Sequence, residues 1–201
     1  MPRRRMRRPG LPLAASLIIA VALLGGLAAN QAGLFNQSTG QAGDDFPRYD
    51  GKTFRVTRSV DGDTFHIGAP DAKSASTPIR LWGVDTPETK KPNFPVQHFG
   101  PEASQFTRNL TFGKDVRIQL APHQDSRDRY TRLLAYVFLP DGRMLNRVLV
   151  EQGYAYADPR FKHPYKAEFK AAMDQAKRKK IGLWAGVKPT DLPEYLNRPK
   201  D

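Results

Sequence analysis

Cysteine is missing from the 201 residues, which excludes disulfides and every thiolate metal site. Histidine is nearly so: His66, His98, His123 and His163 are scattered, with no pair at metal-ligating spacing, which disfavours zinc. Each lone histidine reads as a surface or structural residue. Acidic residues are absent before Asp44, and there is no internal repeat. A chain so composed must hold its fold by core burial alone, which a domain of about 150 residues can do.

What is present is basic. The formal charge is +12, and Arg3, Arg4, Arg5, Arg7 and Arg8 carry five of it, leaving +7 for the remainder. A basic domain surface suits polyanionic partners such as nucleic acid or anionic lipid. Residues 1–12 are arginine-rich, and Leu13 to Ala29 carry no charge. This is the n-region and h-region of an export signal. The apolar run falls just short of the roughly 20 residues that span a bilayer. Residues 1–29 therefore read as a signal peptide or as an uncleaved membrane anchor, with its arginines kept cytoplasmic. Either way the rest of the chain is expected outside the cytoplasm: secreted, periplasmic or membrane-anchored. Residues 30–50, rich in Gly, Gln, Ser and Asp, read as a flexible linker; 51–186 form the expected domain and 187–201 a C-terminal tail.

Within 51–186 the periodicity alternates between strand and helix. Phe54, Val56 and Val60 sit at strand spacing, and Asp61-Gly62 signals a tight turn before Thr64 to Ile67. Pro78 to Val84 predicts a strand, with Arg80 sharing a face with Trp82 and Val84. Gly100-Pro101-Glu102 opens a helix, with Pro in the first turn and an acid beside it. Ala103, Phe106, Thr107 and Leu110 follow at helical spacing until Gly113. Val116 to Leu120 and Leu133 to Leu139 predict strands. Helices are expected from Leu145 to Gln152 and from Pro164 towards Gly182, the latter burying Phe169, Ala172, Met173 and Ala176. The sum is an α+β domain whose five or so short strands suit a small closed barrel. Lys177 to Lys180 is read as the solvated end of the last helix, favoured by the helix dipole.

Three short segments concentrate the chemistry: Asp61-Gly62-Asp63-Thr64, Arg80 to Glu88, and Asp128-Arg129-Tyr130-Thr131-Arg132. Asp63, Asp85 and Glu88 offer hard oxygen ligands and a base, while Arg80 and Arg132 offer planar donors that fit a phosphate bidentately. Two carboxylates about 4 Å apart repel by roughly 4 kcal/mol at an effective dielectric of about 20, so Asp63 and Asp85 can share a site only with a cation or a raised pKa. Oxygen-only donors select a hard cation: Ca2+ ahead of Mg2+ or Mn2+. The alternative reading of Arg80 is a rim salt bridge to Asp85 or Glu88.

From about Thr53 to Trp184 the chain resembles the staphylococcal nuclease (thermonuclease) family. The likeness rests on Asp61 to Thr64, Arg80 to Glu88, Gly100 to Ala103, Asp128 to Arg132 with Leu134-Ala135-Tyr136, and Glu151-Gln152-Gly153. It implies a five-stranded OB-fold barrel with three helices, and Ca2+-dependent hydrolysis of DNA and RNA; nothing in the sequence demands a partner, so a monomer is expected. By position, it implies that Asp63 and Asp85 ligate Ca2+ through carboxylates and Thr86 through its backbone carbonyl. Glu88 would be the general base, and Arg80 and Arg132 would grip the scissile phosphate. Arg129, Tyr130 and Phe161 would contact the nucleic acid. The rival is a non-catalytic, membrane-tethered OB module that binds nucleic acid. Where that family usually has glycine, this chain has Thr131, which would be strained if the backbone there takes a positive φ.

Overall fold

The computed structural model describes residues 45–89, 95–121 and 125–197. The expected signal or anchor segment and residues 30–44 of the expected linker lie outside them, as do residues 198–201 of the tail. Five strands close a barrel in the order β1 (Thr53–Ser59), β2 (Thr64–Ile67), β3 (Thr77–Leu81), β6 (Leu133–Phe138) and β5 (Asp115–Leu120). All neighbours are antiparallel except β3 with β6, which run parallel. Strand alternation fills the interior: Val56, Phe65, Ile67, Ile79, Leu81, Val116, Ile118 and Leu133 are fully buried. Among the described residues five α-helices, two more than the three expected, pack around the barrel: α1 (Asp45–Tyr49), α2 (Gly100–Thr111), α3 (Leu145–Glu151), α4 (Lys166–Arg178) and α5 (Glu194–Asn197). Among the described residues no helix is long and apolar enough to cross a membrane.

The helix periodicities are realised. In α4, Phe169, Ala172, Met173 and Ala176 are buried. Its basic end is solvent-exposed, with the Lys177 ammonium 4.6 Å above the Trp184 ring. In α3, Asn146 is fully buried and ties the helix to the barrel. Its Oδ1 accepts from the Val137 amide at 3.0 Å, and its Nδ2 donates to the carbonyls of Trp82 at 2.9 Å and Ala135 at 3.2 Å.

Two expectations are corrected. The strand predicted over 78–84 stops at Leu81, because Trp82-Gly83 turn the chain with Gly83 at φ 77°. Val84-Asp85 (β4) then pair with Tyr156-Ala157 (β7) in a separate two-stranded sheet. That turn swings Asp85 off the barrel edge and back towards Arg80. The linker expected over 30–50 does not extend through 45–49, which are helical. The residues that order this segment are remote in sequence: the Tyr49 hydroxyl lies 3.0 Å from Thr77 Oγ1, and Asp45 accepts from Arg127 and Ser126.

Arg127 clamps the start of the described chain to the barrel, reaching Asp45 at 2.7 Å, Asp71 at 2.6 Å and the Thr131 carbonyl at 3.0 Å. Burial pushes the Asp45 carboxyl up, but hydrogen bonds from Arg127 and Ser126 outweigh it and hold the group below its ordinary 3.8. A depressed folded pKa contributes stability above the unfolded value and loses it as pH falls through the folded one. Asp45→Ala is expected to lower the free energy of urea unfolding by about 2 kcal/mol near neutral pH. The gap to wild type should begin to narrow as pH falls below about 4 and go on narrowing through the lower folded pKa. A gap of the same size at all pH values would show that the charge is not what stabilises.

Candidate active site

The Asp-Gly turn between β1 and β2 places Asp63 under the chain that follows β3. Gly62 is required there for closeness: a Cβ at that position would stand 2.7 Å from Thr86 Oγ1. The Thr107 hydroxyl of α2 donates to the Gly62 carbonyl at 2.6 Å and fixes the turn from below. Asp63 is then gripped from three sides. Its Oδ2 accepts from the Thr86 amide at 2.9 Å and hydroxyl at 3.1 Å, and from Arg80 Nη1 at 2.8 Å; its Oδ1 accepts from the Thr64 hydroxyl at 3.1 Å.

Arg80 is the hub. It pairs with Asp63 through Nη1 and with Asp85 Oδ1 through Nη2 at 2.8 Å, and Nη1 also reaches the carbonyls of Leu81 and Val84. Burial works against its charge, but Asp63 and Asp85 outweigh it and raise its pKa above the ordinary arginine value. The rim salt bridge and the cluster of acids are thus one object. Asp85 Oδ2 accepts from the Tyr195 hydroxyl at 2.7 Å and from Arg160 Nη2 at 3.3 Å. Burial raises the Asp85 pKa; Arg80 opposes this and Asp63 adds to it.

Glu88 sits past the Pro87 turn, its loop pinned at both ends. The Glu88 amide donates to Gln97 Oε1 at 2.7 Å, the Gln97 amide donates back to the Glu88 carbonyl at 2.9 Å, and Glu88 Oε1 accepts from the Thr89 amide at 2.9 Å. Arg132 enters from the loop before β6. Asp128 Oδ2 holds its Nε at 2.8 Å and Nη2 at 2.7 Å, and its Nη1 approaches the Thr64 hydroxyl at 3.2 Å. Thr131 does carry the positive φ, 64°. The loop takes the strained conformation, and Arg132 lines the same cavity as Arg80. A β-branched residue in this region is strained by about 1–2 kcal/mol, against about 0.5–1 kcal/mol of extra entropy for glycine. Thr131→Gly should therefore stabilise the domain by about 0.5–1 kcal/mol, read as a higher urea midpoint at unchanged m-value.

Asp61, Asp63, Asp85 and Glu88, with Thr86, Arg80 and Arg132, line one strongly polar cavity of about 150 Å³. A larger cavity of about 1110 Å³ adjoins it, lined by Arg80, Trp82, Arg129, Tyr130, Arg132, Arg160 and Phe161. Tyr130 and Phe161 are 61% and 40% exposed, unusual for large aromatics, and both face this cavity. Phe161 packs on Trp82 with ring centroids 4.6 Å apart, and Arg129 donates to the Tyr130 hydroxyl at 2.7 Å. The structure thus brings all nine residues singled out from sequence to two adjoining cavities.

Three others were missed. Asp61 looked like a turn residue, yet it lines the acid cavity, and burial together with the Asp63 charge pushes its pKa up to about 7. Arg160 and Tyr195 had no sequence signal beyond residue type. The donor set suits a hard cation: carboxylate and hydroxyl oxygens, with no imidazole or sulfur. Among the described residues no three acidic or imidazole side chains could hold a metal by themselves. A cation there would therefore be completed by backbone and water oxygens, as Ca2+ accepts.

At one rim of a small α+β barrel the site gathers planar arginine donors of the kind that suit phosphate recognition. The family model described as staphylococcal nuclease homologue matches residues 78–186, and the chain belongs to that family. It is similar to the thermonuclease of Staphylococcus hyicus, 39% identical over 67% of this chain and 76% of the relative. It is also similar to endonuclease YncB of Bacillus subtilis, 34% identical over 75% and 71% of the two chains. An uncharacterized endonuclease of Escherichia coli O157:H7 is 31% identical over 72% and 83%.

Proposed function

We propose that the chain is an exported, Ca2+-dependent nuclease that hydrolyses phosphodiester bonds of DNA and RNA and acts as a monomer. The observation that carries this reading is that Arg80 and Arg132 line both cavities. A phosphate they grip lies against the acids on one side, while its nucleoside reaches the Trp82–Phe161 and Tyr130 surfaces on the other. Its relatives carry the names thermonuclease and endonuclease. Export is supported by the arginine-rich start and apolar run of residues 1–29.

Asp63 and Asp85, with the carbonyl of Thr86, would hold the Ca2+. When bound there, Ca2+ supplies positive charge that polarises a phosphate oxygen. The protein groups do the rest. Glu88 accepts a proton as a water oxygen forms its bond to phosphorus. As the ester P–O bond breaks, Arg80 and Arg132 offset the negative charge gathering on the phosphate oxygens. Arg129, Tyr130 and Phe161 hold the flanking nucleotide by charge and stacking.

Purified chain incubated with DNA or RNA should cleave with Ca2+ and not with excess EDTA. Glu88→Gln should lower kcat by about 10²–10⁴-fold. Retention of intact nucleic acid in both conditions would favour the non-catalytic binding module instead.

A further inference from the structure

The C-terminal segment, expected as a tail, folds back over the candidate active site. Leu192 and Leu196 pack against the core. A 3-10 turn at Pro189–Asp191 and helix α5 are closed on each other by Asn197 Nδ2, which donates to the Pro189 carbonyl at 2.9 Å. Asp191 accepts from the Lys188 amide at 2.9 Å. This small clasp delivers Tyr195, 110 residues further along the chain, to Asp85 Oδ2 at 2.7 Å. The same ring carries the Arg160 guanidinium, whose centre lies 4.0 Å above it. Arg160 is in turn held by Asp158 at 2.6 Å and reaches Asp85 at 3.3 Å.

Asp85 is thus held at both oxygens from opposite sides, Oδ1 by Arg80 and Oδ2 by Tyr195. Without Tyr195, Oδ2 would keep only the longer contact to Arg160 at 3.3 Å, a looser hold than the 2.7 Å hydroxyl gives. We propose that Tyr195, carried by the clasp of residues 188–197, is a positioning residue that fixes the Asp85 carboxylate for cation binding and sets Arg160 at the edge of the substrate cavity. This rests on the reading of Asp85 as a Ca2+ ligand. Groups that orient a ligating carboxylate typically change metal affinity about 10–100-fold when removed.

The test is Ca2+ titration by calorimetry on the full chain, without substrate, for wild type, Tyr195→Phe and Asn197→Ala. Tyr195→Phe keeps the ring under Arg160 and removes only the hydroxyl; it should weaken Ca2+ binding about tenfold. Asn197→Ala keeps the hydroxyl and loosens the clasp, so it should shift the dissociation constant in the same direction by less. At saturating Ca2+, kcat of Tyr195→Phe should return to within about twofold of wild type, since mass action refills the site. Equal dissociation constants in wild type and Tyr195→Phe, or tighter binding in the variant, overturn the clasp while leaving the nuclease reading intact. A wild type that binds no Ca2+ overturns both.

Discussion

Arg132→Ala is expected to lower kcat by about 10²–10³-fold while the protein stays folded. Arg132 is 27% exposed and its fork is aligned by Asp128, so under the proposed mechanism a preorganised donor is lost where phosphate charge would develop. Stability should change little. Asp128 Oδ1 keeps the amides of Tyr130 at 2.9 Å and Arg132 at 3.0 Å, so the loop retains its own hydrogen bonds. Arg132→Lys restores the charge without the planar fork and should recover only a minor part of the rate. Single-turnover kinetics with saturating substrate check this. A variant whose KM alone rises would show an arginine that only binds substrate.

Arg80→Ala should fail differently, losing both turnover and stability. Its side chain is 15% exposed, and that of Asp63 is 9% exposed. Removing the guanidinium leaves Asp63 and Asp85 facing each other, with the carbonyls of Leu81 and Val84 short of a donor. Breaking a buried pair from one side costs about 3–5 kcal/mol, which for a domain of this size is a fall in Tm of about 10 °C. Under the proposed Ca2+ site, the cation would offset part of this loss, so the melting shift on adding Ca2+ should be larger in Arg80→Ala than in wild type. An apo variant that melts with wild type would contradict the buried Asp63–Arg80–Asp85 arrangement. In the sequence the two arginines look equivalent; their surroundings make one a hub and the other a finger.

Much of the architecture was legible because it follows local periodicity. Val116 to Leu120 alternates as a strand, and the apolar stripe of α4 recurs at helical spacing whatever the fold around it. The break at Trp82-Gly83 was not legible. Its cause is a backbone turn at Gly83 and a buried Asn146 that holds the Trp82 carbonyl from helix α3. Helix α1 was hidden for the same reason: a five-residue helix has little intrinsic stability, and its partners Thr77 and Arg127 are far along the chain. Of the site residues, Asp63, Arg80, Asp85, Thr86, Glu88 and Arg132 were legible through three dense motifs, with their roles supplied by the family resemblance. Asp61 was masked by the commonness of Asp-Gly turns.

By itself, the sequence determined the chemistry available: no thiolate or paired-histidine metal site, an excess of positive charge, oxygen ligands and arginines in three segments, and strand and helix periods that close a small barrel. Only the tertiary structure decided how those groups share their charges. Arg80 lies between two aspartates, Asp128 aims Arg132 from a loop strained at Thr131, and a tyrosine from the C-terminal clasp reaches Asp85. The reason is that residue type and period act over a few residues, whereas ion pairing and burial depend on which distant segments the closed barrel brings within hydrogen-bonding distance.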